Sequence, residues 1–269
     1  MVDFNVNGKV AVITGGTRGL GLNCAEVLAL NGASTVIITL RKAKACEEAK
    51  KYLEGITQKA GKQVKVISIP ADLAKPEQAQ AFFDVASKHV DKVDILIANA
   101  GATWGEDLET HPTSAIEKVL TLNVTLVFHL IQLFTPLLEA AGTKEDPLRV
   151  LIMSSVASVG TSGMSNTYGY MASKAGVAHM GKNLAVQLGP RNINVNSLAP
   201  GFFPTKMSNG LLDAIGEIMI ETNPRGRLGE PSDIQAATLF LCAKQSAYIN
   251  GIVLFIDGGG HLNSPAARF

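Results

Sequence analysis

The sequence predicts a doubly wound parallel α/β sheet of seven strands, with helices on both faces and residues 1–269 in one domain. Three observations predict it. Short β-branched apolar runs alternate with helical patterns along the whole chain. Most of those runs are continuously apolar, as strands are when both sheet faces are covered. A glycine-rich turn joins the first strand to the first helix, where such sheets bind phosphate.

The elements follow in order. Residues 9–14 (K-V-A-V-I-T) form a buried strand. After the glycine turn, residues 20–30 have helical periodicity and stop at Asn31-Gly32. Residues 35–40 are the second strand, and 42–60 a charge-rich helix ending at Gly61. The third strand spans 64–69, followed by a helix opening at Pro76, a favoured first helical position. The fourth strand, 94–98, leads into Asn99-Ala100-Gly101. Residues 114–141 read as one long apolar helix. The fifth strand, 149–153, ends in Ser154-Ser155. A helix over 167–188 follows, then a sixth strand over 193–198 closing in Ala199-Pro200-Gly201. Residues 209–222 are partly helical, 231–244 helical, and 252–256 the seventh strand.

Bulk properties narrow the function. Apolar residues make up 46% of the 269 and charged residues 17%, which predicts a globular chain with a large core. A net charge of +1 gives no reason to expect nucleic acid as a partner. Three scattered cysteines fit reduced thiols in a cytoplasmic protein. The N-terminus lacks signal-peptide regions, and no apolar run crosses a bilayer's length without polar interruption. The ending Ala267-Arg268-Phe269 reads as an ordinary terminus. The five histidines have no ligand spacing, and no metal site is expected.

The chemistry centres on Tyr170 and Lys174. Four residues apart on a helix, they share one face. Ser155 stands at the preceding strand end, and the glycine loop Gly15-x-x-x-Gly19-x-Gly21 supplies a phosphate cradle. A hydroxyl, a Tyr backed by a Lys, and such a cradle together describe a reductase. An acid at the end of the second strand would bind the adenosine ribose and repel a 2′-phosphate. Leu40-Arg41-Lys42 stands there instead, and Arg41 with Arg18 offers two guanidiniums to that phosphate. The sequence therefore predicts NADPH as the cofactor. Asp72 is placed to accept from the adenine amino group. Asn99 is placed to hold the ribose and brace the sheet.

These residues make the chain resemble the short-chain dehydrogenase/reductase family over nearly its full length. The matching stretches are T-G-G-T-R-G-L-G at 14–21, Asp72, A-N-A-G at 98–101, Asn123, Ser155, Y-M-A-S-K at 170–174 and P-G-F-F-P-T at 200–205. G-A-T-W-G-E-D-L-E-T at 101–110 and L-N-V-T at 122–125 look like the 3-oxoacyl reductase branch tied to rhamnolipid synthesis. Two departures stand out. Ala98 occupies a position where the family often has Asn, and the Ser155–Tyr170 interval is wider than in many members. Tyr168 and Ser154 are neighbours of similar type, but only Tyr170 has a Lys four residues on.

The resemblance implies a Rossmann-like fold and a reaction in which a nicotinamide gives hydride to a ketone or 3-oxoacyl carbonyl. Tyr170 then gives the proton, with its pKa lowered by Lys174. Ser155 donates to the carbonyl oxygen. Asn123 helps hold a water that passes protons to Lys174, which also binds the nicotinamide ribose. The implied cofactor contacts are Gly15, Thr17, Arg18, Gly19, Leu20, Gly21, Arg41, Asp72, Leu73, Asn99, Ala100, Gly101, Tyr170, Lys174, Pro200, Gly201, Phe203 and Thr205, with Thr205 meeting the carboxamide. Residues 206–222 become a substrate lid. Its Leu211, Leu212, Ile215, Ile218, Met219 and Ile220 are candidates for an apolar pocket or for ordinary packing. A homotetramer is expected, through the long apolar helix and the small residues Ala175, Gly176, Ala178 and Gly181. A polyol dehydrogenase and a non-catalytic dinucleotide sensor are the competing functions.

Overall fold

The computed structural model describes residues 3–160 and 166–263, so the tail at 267–269 and part of the Ser155–Tyr170 interval lie outside the described residues. Seven strands form one parallel sheet: β1 (Val10–Thr14), β2 (Thr35–Leu40), β3 (Lys65–Pro70), β4 (Ile95–Ala98), β5 (Leu148–Met153), β6 (Ile193–Pro200) and β7 (Val253–Ile256). Their order is β3-β2-β1-β4-β5-β6-β7, and every neighbouring pair is parallel. The strand order reverses between β1 and β4, which opens a crevice at their carboxyl ends, the ligand position of such sheets.

Apolar strand residues make the two-sided core. Val12, Ile37, Leu96 and Val150 face α3 (Pro76–Ala86), α5 (Leu126–Glu139) and α6 (Tyr168–Leu188) through Phe82, Phe134 and Val177. Ile13, Ile38, Ile97 and Leu151 face α1 (Gly19–Leu30), α2 (Ala43–Lys59) and α8 (Pro231–Cys242) through Leu28, Leu53 and Leu241. Alternate residues of one strand thus pack on opposite helical layers. Pro76 begins α3 as its position predicts. Glu230 and Asp233 close a reciprocal capping box at the start of α8, which satisfies amides left free by the first turn.

The long helix expected over 114–141 is not uniform. It is α4 (Thr113–Leu120), a π turn over Thr121–Thr125, and then α5. The amide of Leu126 reaches the carbonyl of Thr121 across five residues. Helical periodicity does not reveal such a widening, because the apolar face continues through it. The run Thr113–Glu139 is long and apolar enough to cross a membrane by length and composition alone, although Glu117, Lys118, Asn123 and Gln132 interrupt it. In the fold it lies on the sheet, with Leu126, Val127, Leu130, Ile131, Phe134, Thr135 and Leu138 buried. The segment expected to be partly helical at 209–222 is α7 (Asn209–Thr222), bent where Ile215 leaves helical backbone angles.

Candidate active site

At the end of β1, Thr14 and Asn99 tie two strands together. Thr14 Oγ1 accepts the amides of Asn99 at 3.0 Å and Ala100 at 3.1 Å. Asn99 Nδ2 donates to the carbonyls of Thr14 at 2.9 Å and Gly15 at 3.3 Å. The bracing role expected of Asn99 is therefore observed. Thr14 is a partner that the sequence did not single out, although its place directly before Gly15 is the signal. The loop leaves no room for side chains. A Cβ on Gly15 would sit 2.8 Å from Asn99 Nδ2, and one on Gly21 would sit 2.4 Å from it. Gly15 also needs φ +64° and Gly19 φ +53°, where side chains are strained.

The loop's chemistry fits a dinucleotide phosphate. Arg18 caps α1 with no side-chain hydrogen bond, so the first-turn amides keep their donors free of side chains. Thr17 Oγ1 is buried, and no partner for it is found among the described residues. A buried hydroxyl without a partner costs free energy that a phosphate oxygen recovers. Arg18 and Arg41 are exposed at the same edge, and β2 ends in Leu40 with no acid beside it. Further along, Asp72 Oδ1 accepts the amide of Ala74 at 3.2 Å, while Leu73 and Ala100 line a small recess with Thr14 and Leu122. Leu20 packs against the core behind the loop.

Beyond the crevice, four expected residues converge through a short chain of contacts. Lys174, 5% exposed, donates from Nζ to the carbonyl of Met153 at 2.7 Å and lies 5.5 Å from the centre of the Tyr170 ring. Ser155, two residues beyond β5, accepts the amide of Ala157 at 3.1 Å, and its hydroxyl lowers the Tyr170 phenol against the effect of burial. Ser154 instead donates to the carbonyl of Lys174 at 3.0 Å, a structural role inside α6. Tyr168 is exposed and sets its ring edge-on to His111, away from Ser155's partner.

Asn123 occupies the π turn and is 1% exposed. Both ends of its amide are engaged. Oδ1 accepts Ala102 N, and Nδ2 donates to Ala102 O and Ser173 Oγ, all at 2.9 Å. Ser173 in turn donates to the carbonyl of Tyr170 at 2.7 Å. A Cβ on Gly101 would lie 3.2 Å from Asn123 Oδ1 and 3.7 Å from Lys174 Nζ, so Gly101 sits between them. Ser173 was not picked out from sequence, although it lies within the Tyr170–Lys174 turn.

Burial governs the charges. It pushes the Lys174 ammonium down to about 8 and the Tyr170 phenol up, the latter partly offset by Ser155. The expected lowering of Tyr170 by Lys174 is absent in this arrangement. Lys174 Nζ is turned to a carbonyl and to the ring face, and burial sets the Tyr170 shift with Ser155 opposing it.

The fourth wall begins where Gly201 donates to the carbonyl of Ile256 at 3.0 Å. A side chain there would strike Asp257, so the turn after Pro200 needs glycine. Phe203 is buried with its ring against Gly229. Thr205 comes within contact of the glycine loop, its Cγ2 3.4 Å from where a Cβ on Gly19 would stand. The lid residues behave differently. No residue of α7 is buried; Leu211, Leu212, Ile215 and Met219 are half-buried, while Ile218 and Ile220 are exposed.

Comparison with known proteins agrees with this geometry. A family model described as enoyl-(acyl carrier protein) reductase matches residues 15–261. The rhamnolipids-biosynthesis 3-oxoacyl-[acyl-carrier-protein] reductase of Pseudomonas aeruginosa is 36% identical over 96% of this chain and 98% of its own. The Pseudomonas aeruginosa RhlG/NADP active-site complex superposes with a TM-score of 0.89 at 36% identity, covering 96% and 98% of the two chains. A 7α-hydroxysteroid dehydrogenase complexed with NADH and 7-oxo glycochenodeoxycholic acid gives 0.86 at 32% identity, covering 97% and 98%. With the phosphate cradle, the Tyr170–Lys174 turn and these relatives in agreement over nearly the whole length, the chain is an oxidoreductase of the short-chain dehydrogenase/reductase family.

Proposed function

We propose that the chain is an NADPH-dependent carbonyl reductase in which Tyr170 gives the proton and the glycine cradle holds the cofactor. The observation that carries this is the convergence of Tyr170, Ser155, Lys174 and Asn123 beside a cradle with an unpartnered Thr17 hydroxyl. The dinucleotide, when bound, supplies the hydride. Arg18 and Arg41 would take its 2′-phosphate, Thr17 and the amides of Gly19, Leu20 and Gly21 its pyrophosphate, and Asp72, Leu73, Asn99, Ala100 and Gly101 its adenosine side. Lys174 and Tyr170 would meet the nicotinamide ribose. Pro200, Gly201, Phe203 and Thr205 would close over the nicotinamide.

The proton work belongs to the chain. At neutral pH the buried phenol of Tyr170 is protonated and has its proton to give. Ser155, beside that phenol, would turn its one proton to the same carbonyl oxygen as charge builds on it. Lys174, charged below about pH 8, would stabilise the phenolate left behind and bring back a proton. Asn123 spends its side chain on Ala102 and Ser173, so its part in a proton path falls to the π turn's backbone.

The substrate would be a moderately hydrophobic ketone or 3-oxoacyl compound. Phe202 and the half-buried Leu211, Leu212 and Ile215 favour apolar chains, and acids on the lid face solvent at Asp213 and Glu217. A series of β-ketoesters tests this. Efficiency should rise with each methylene, by up to about 0.8 kcal/mol, until the pocket fills. Preference for ketoses would favour a polyol dehydrogenase instead.

The chain would work as a homotetramer in the cytoplasm. Phe128 and Val186 are 46% and 71% exposed on α5 and α6, and the outward Ala175 and Gly176 permit close helix approach, whereas Ala178 and Gly181 are buried and face the protein's own core. The buried free thiols of Cys24, Cys46 and Cys242 suit a reducing compartment. Sedimentation at micromolar concentration should give the tetramer; a monomer would contradict it.

A further inference from the structure

Four Asn-Gly pairs occur in the chain, at Asn7, Asn31, Asn209 and Asn250. Such a pair carries its own chemistry. The glycine nitrogen has no Cβ beside it and can swing onto the side-chain carbonyl of the preceding asparagine. The fold decides which pair is free to do so.

Three pairs are held. Asn250 Oδ1 accepts the amide of Val195 at 2.8 Å, its Nδ2 donates to the carbonyl of Ala185 at 3.0 Å, and the Gly251 amide donates to the carbonyl of Val195 at 2.9 Å. Asn31 Nδ2 donates to the carbonyl of Val27 at 2.7 Å, and the Asn31 carbonyl takes the amide of Val6 at 3.0 Å. The Gly8 amide after Asn7 donates to the carbonyl of Gly32 at 2.9 Å, and Asn7 packs directly on Gly32.

Asn209 is different. It is exposed at the first position of α7. Among the described residues, neither its side chain nor the Gly210 amide has a hydrogen-bond partner. The amide is orphaned by its place in the first helical turn. A Cβ on Gly210 would meet nothing within 4 Å, so the nitrogen is open to approach. Ring closure takes Asn209 out of helical angles and costs the bond from the Leu212 amide to the Ser208 carbonyl at 2.8 Å. No residue of α7 is buried, so little packing resists that opening.

We propose that Asn209 is a modification site, where spontaneous deamidation places a new carboxylate on α7. The Gly210 nitrogen loses its proton and bonds to Asn209 Cγ, and Asn209 Nδ2 leaves as ammonia. Water then opens the cyclic imide at either carbonyl. One opening leaves aspartate; the other routes the main chain through Cγ and leaves isoaspartate. Water enters, ammonia leaves, and nothing is oxidised or reduced. The new carboxylate falls on one exposed helical face with Asp213 and Glu217, at successive spacings of four residues. Like charges at that spacing oppose the helix, and isoaspartate lengthens the backbone in its first turn. The modification thus loosens α7 as the protein ages. Its consequence for substrate rests on the lid reading above; the modification itself does not.

The test incubates the purified full chain in heavy-oxygen water at mildly alkaline pH and follows each Asn-Gly peptide by mass spectrometry. Asn209 should take up label at least about tenfold faster than Asn7, Asn31 or Asn250, which react only from locally opened chain. In denaturant the four rates should fall within about threefold of one another, because only the fold separates them. Gly210→Ala places a methyl group in open space, favours the helix and should slow conversion at Asn209 in the folded chain. After conversion the amides of α7 should exchange with solvent faster, whereas an Asn209→Ser chain aged alongside should not change. Equal native rates at the four pairs would overturn the proposal. An excess at Asn209 that persists in denaturant would remove the part played by the fold and overturn it as well. Unchanged exchange in α7 after full conversion would overturn the loosening.

Discussion

The two ends of the crevice are built to different standards. At the cofactor end, Thr14, Gly15, Asn99 and Gly21 are locked by short hydrogen bonds and by contacts that admit no Cβ. At the substrate end, α7 buries no residue and bends at Ile215. It is tied down at its two ends. Ser208 binds Phe203 and Thr205 at the start. At the finish Asn223 donates to the carbonyl of Asp257 at 2.8 Å and Asn263 to that of Thr222 at 2.6 Å. A dinucleotide is the same molecule in every turnover, and a rigid cradle can be matched to it in advance. If α7 is the proposed lid, its tied ends and exposed middle would let it adapt to what enters.

Breaking the rigid end at its chemical centre should have the largest effect. Tyr170→Phe should lower turnover by roughly a thousandfold or more, while the NADPH dissociation constant stays within about threefold. The phenol gives the proton but is no part of the glycine cradle. Activity near wild type, measured as NADPH oxidation with a ketone, would move the proton donor elsewhere.

Arg41→Asp comes next. It removes one charge-assisted contact and adds a repulsive one, so NADPH should bind more weakly by about tenfold to a hundredfold. NADH affinity should hold or rise, because an acid there can take the adenosine ribose hydroxyls. Parallel titrations of both nucleotides check this, and an equal loss for both would mean that Arg41 does not read the 2′-phosphate.

The buried lysine gives an effect on stability that can be signed. Lys174 titrates at about 8 in the folded chain against 10.5 when exposed. Between those values the unfolded chain holds the proton and the folded chain does not. Stability from this group therefore rises with pH across the window and is constant below it. The buried thiols of Cys24, Cys46 and Cys242 are shifted up and act in the opposite sense. They cancel when the wild type is compared with Lys174→Met. Relative to that variant, the wild type should gain on the order of 3 kcal/mol from pH 8 to 10.5 in denaturant melts. A flat difference would mean that Lys174 is solvated.

The smallest intervention tests the contrast itself. Amides in the middle of α7 should exchange with solvent roughly a hundredfold faster than those of α1. Equal protection would show the lid to be as fixed as the cradle.

The rigid end was the legible one. Continuous apolar runs fixed every strand to within a residue or two, because a strand covered on both faces admits little else. The cradle was readable because close backbone approach demands glycine at Gly15 and Gly21. Tyr170 and Lys174 were readable because helical spacing brings them together. Other features left no pattern. The π turn at Asn123 interrupts no apolar face. The direction of Lys174 depends on the Met153 carbonyl from another element. The pKa of Tyr170 is set by burial, which composition does not encode. The bond between Ser208 and Thr205 becomes visible only when the turn is folded.

The most direct test of the account is the oxidation of NADPH and of NADH by the purified chain across hydrophobic β-ketoesters, 3-oxoacyl thioesters and ketoses. The account predicts ketone-dependent oxidation of NADPH that strengthens with acyl length, and a preference over NADH of about tenfold or more from the paired guanidiniums. Equal use of the two nucleotides, or no oxidation with any carbonyl, would contradict it.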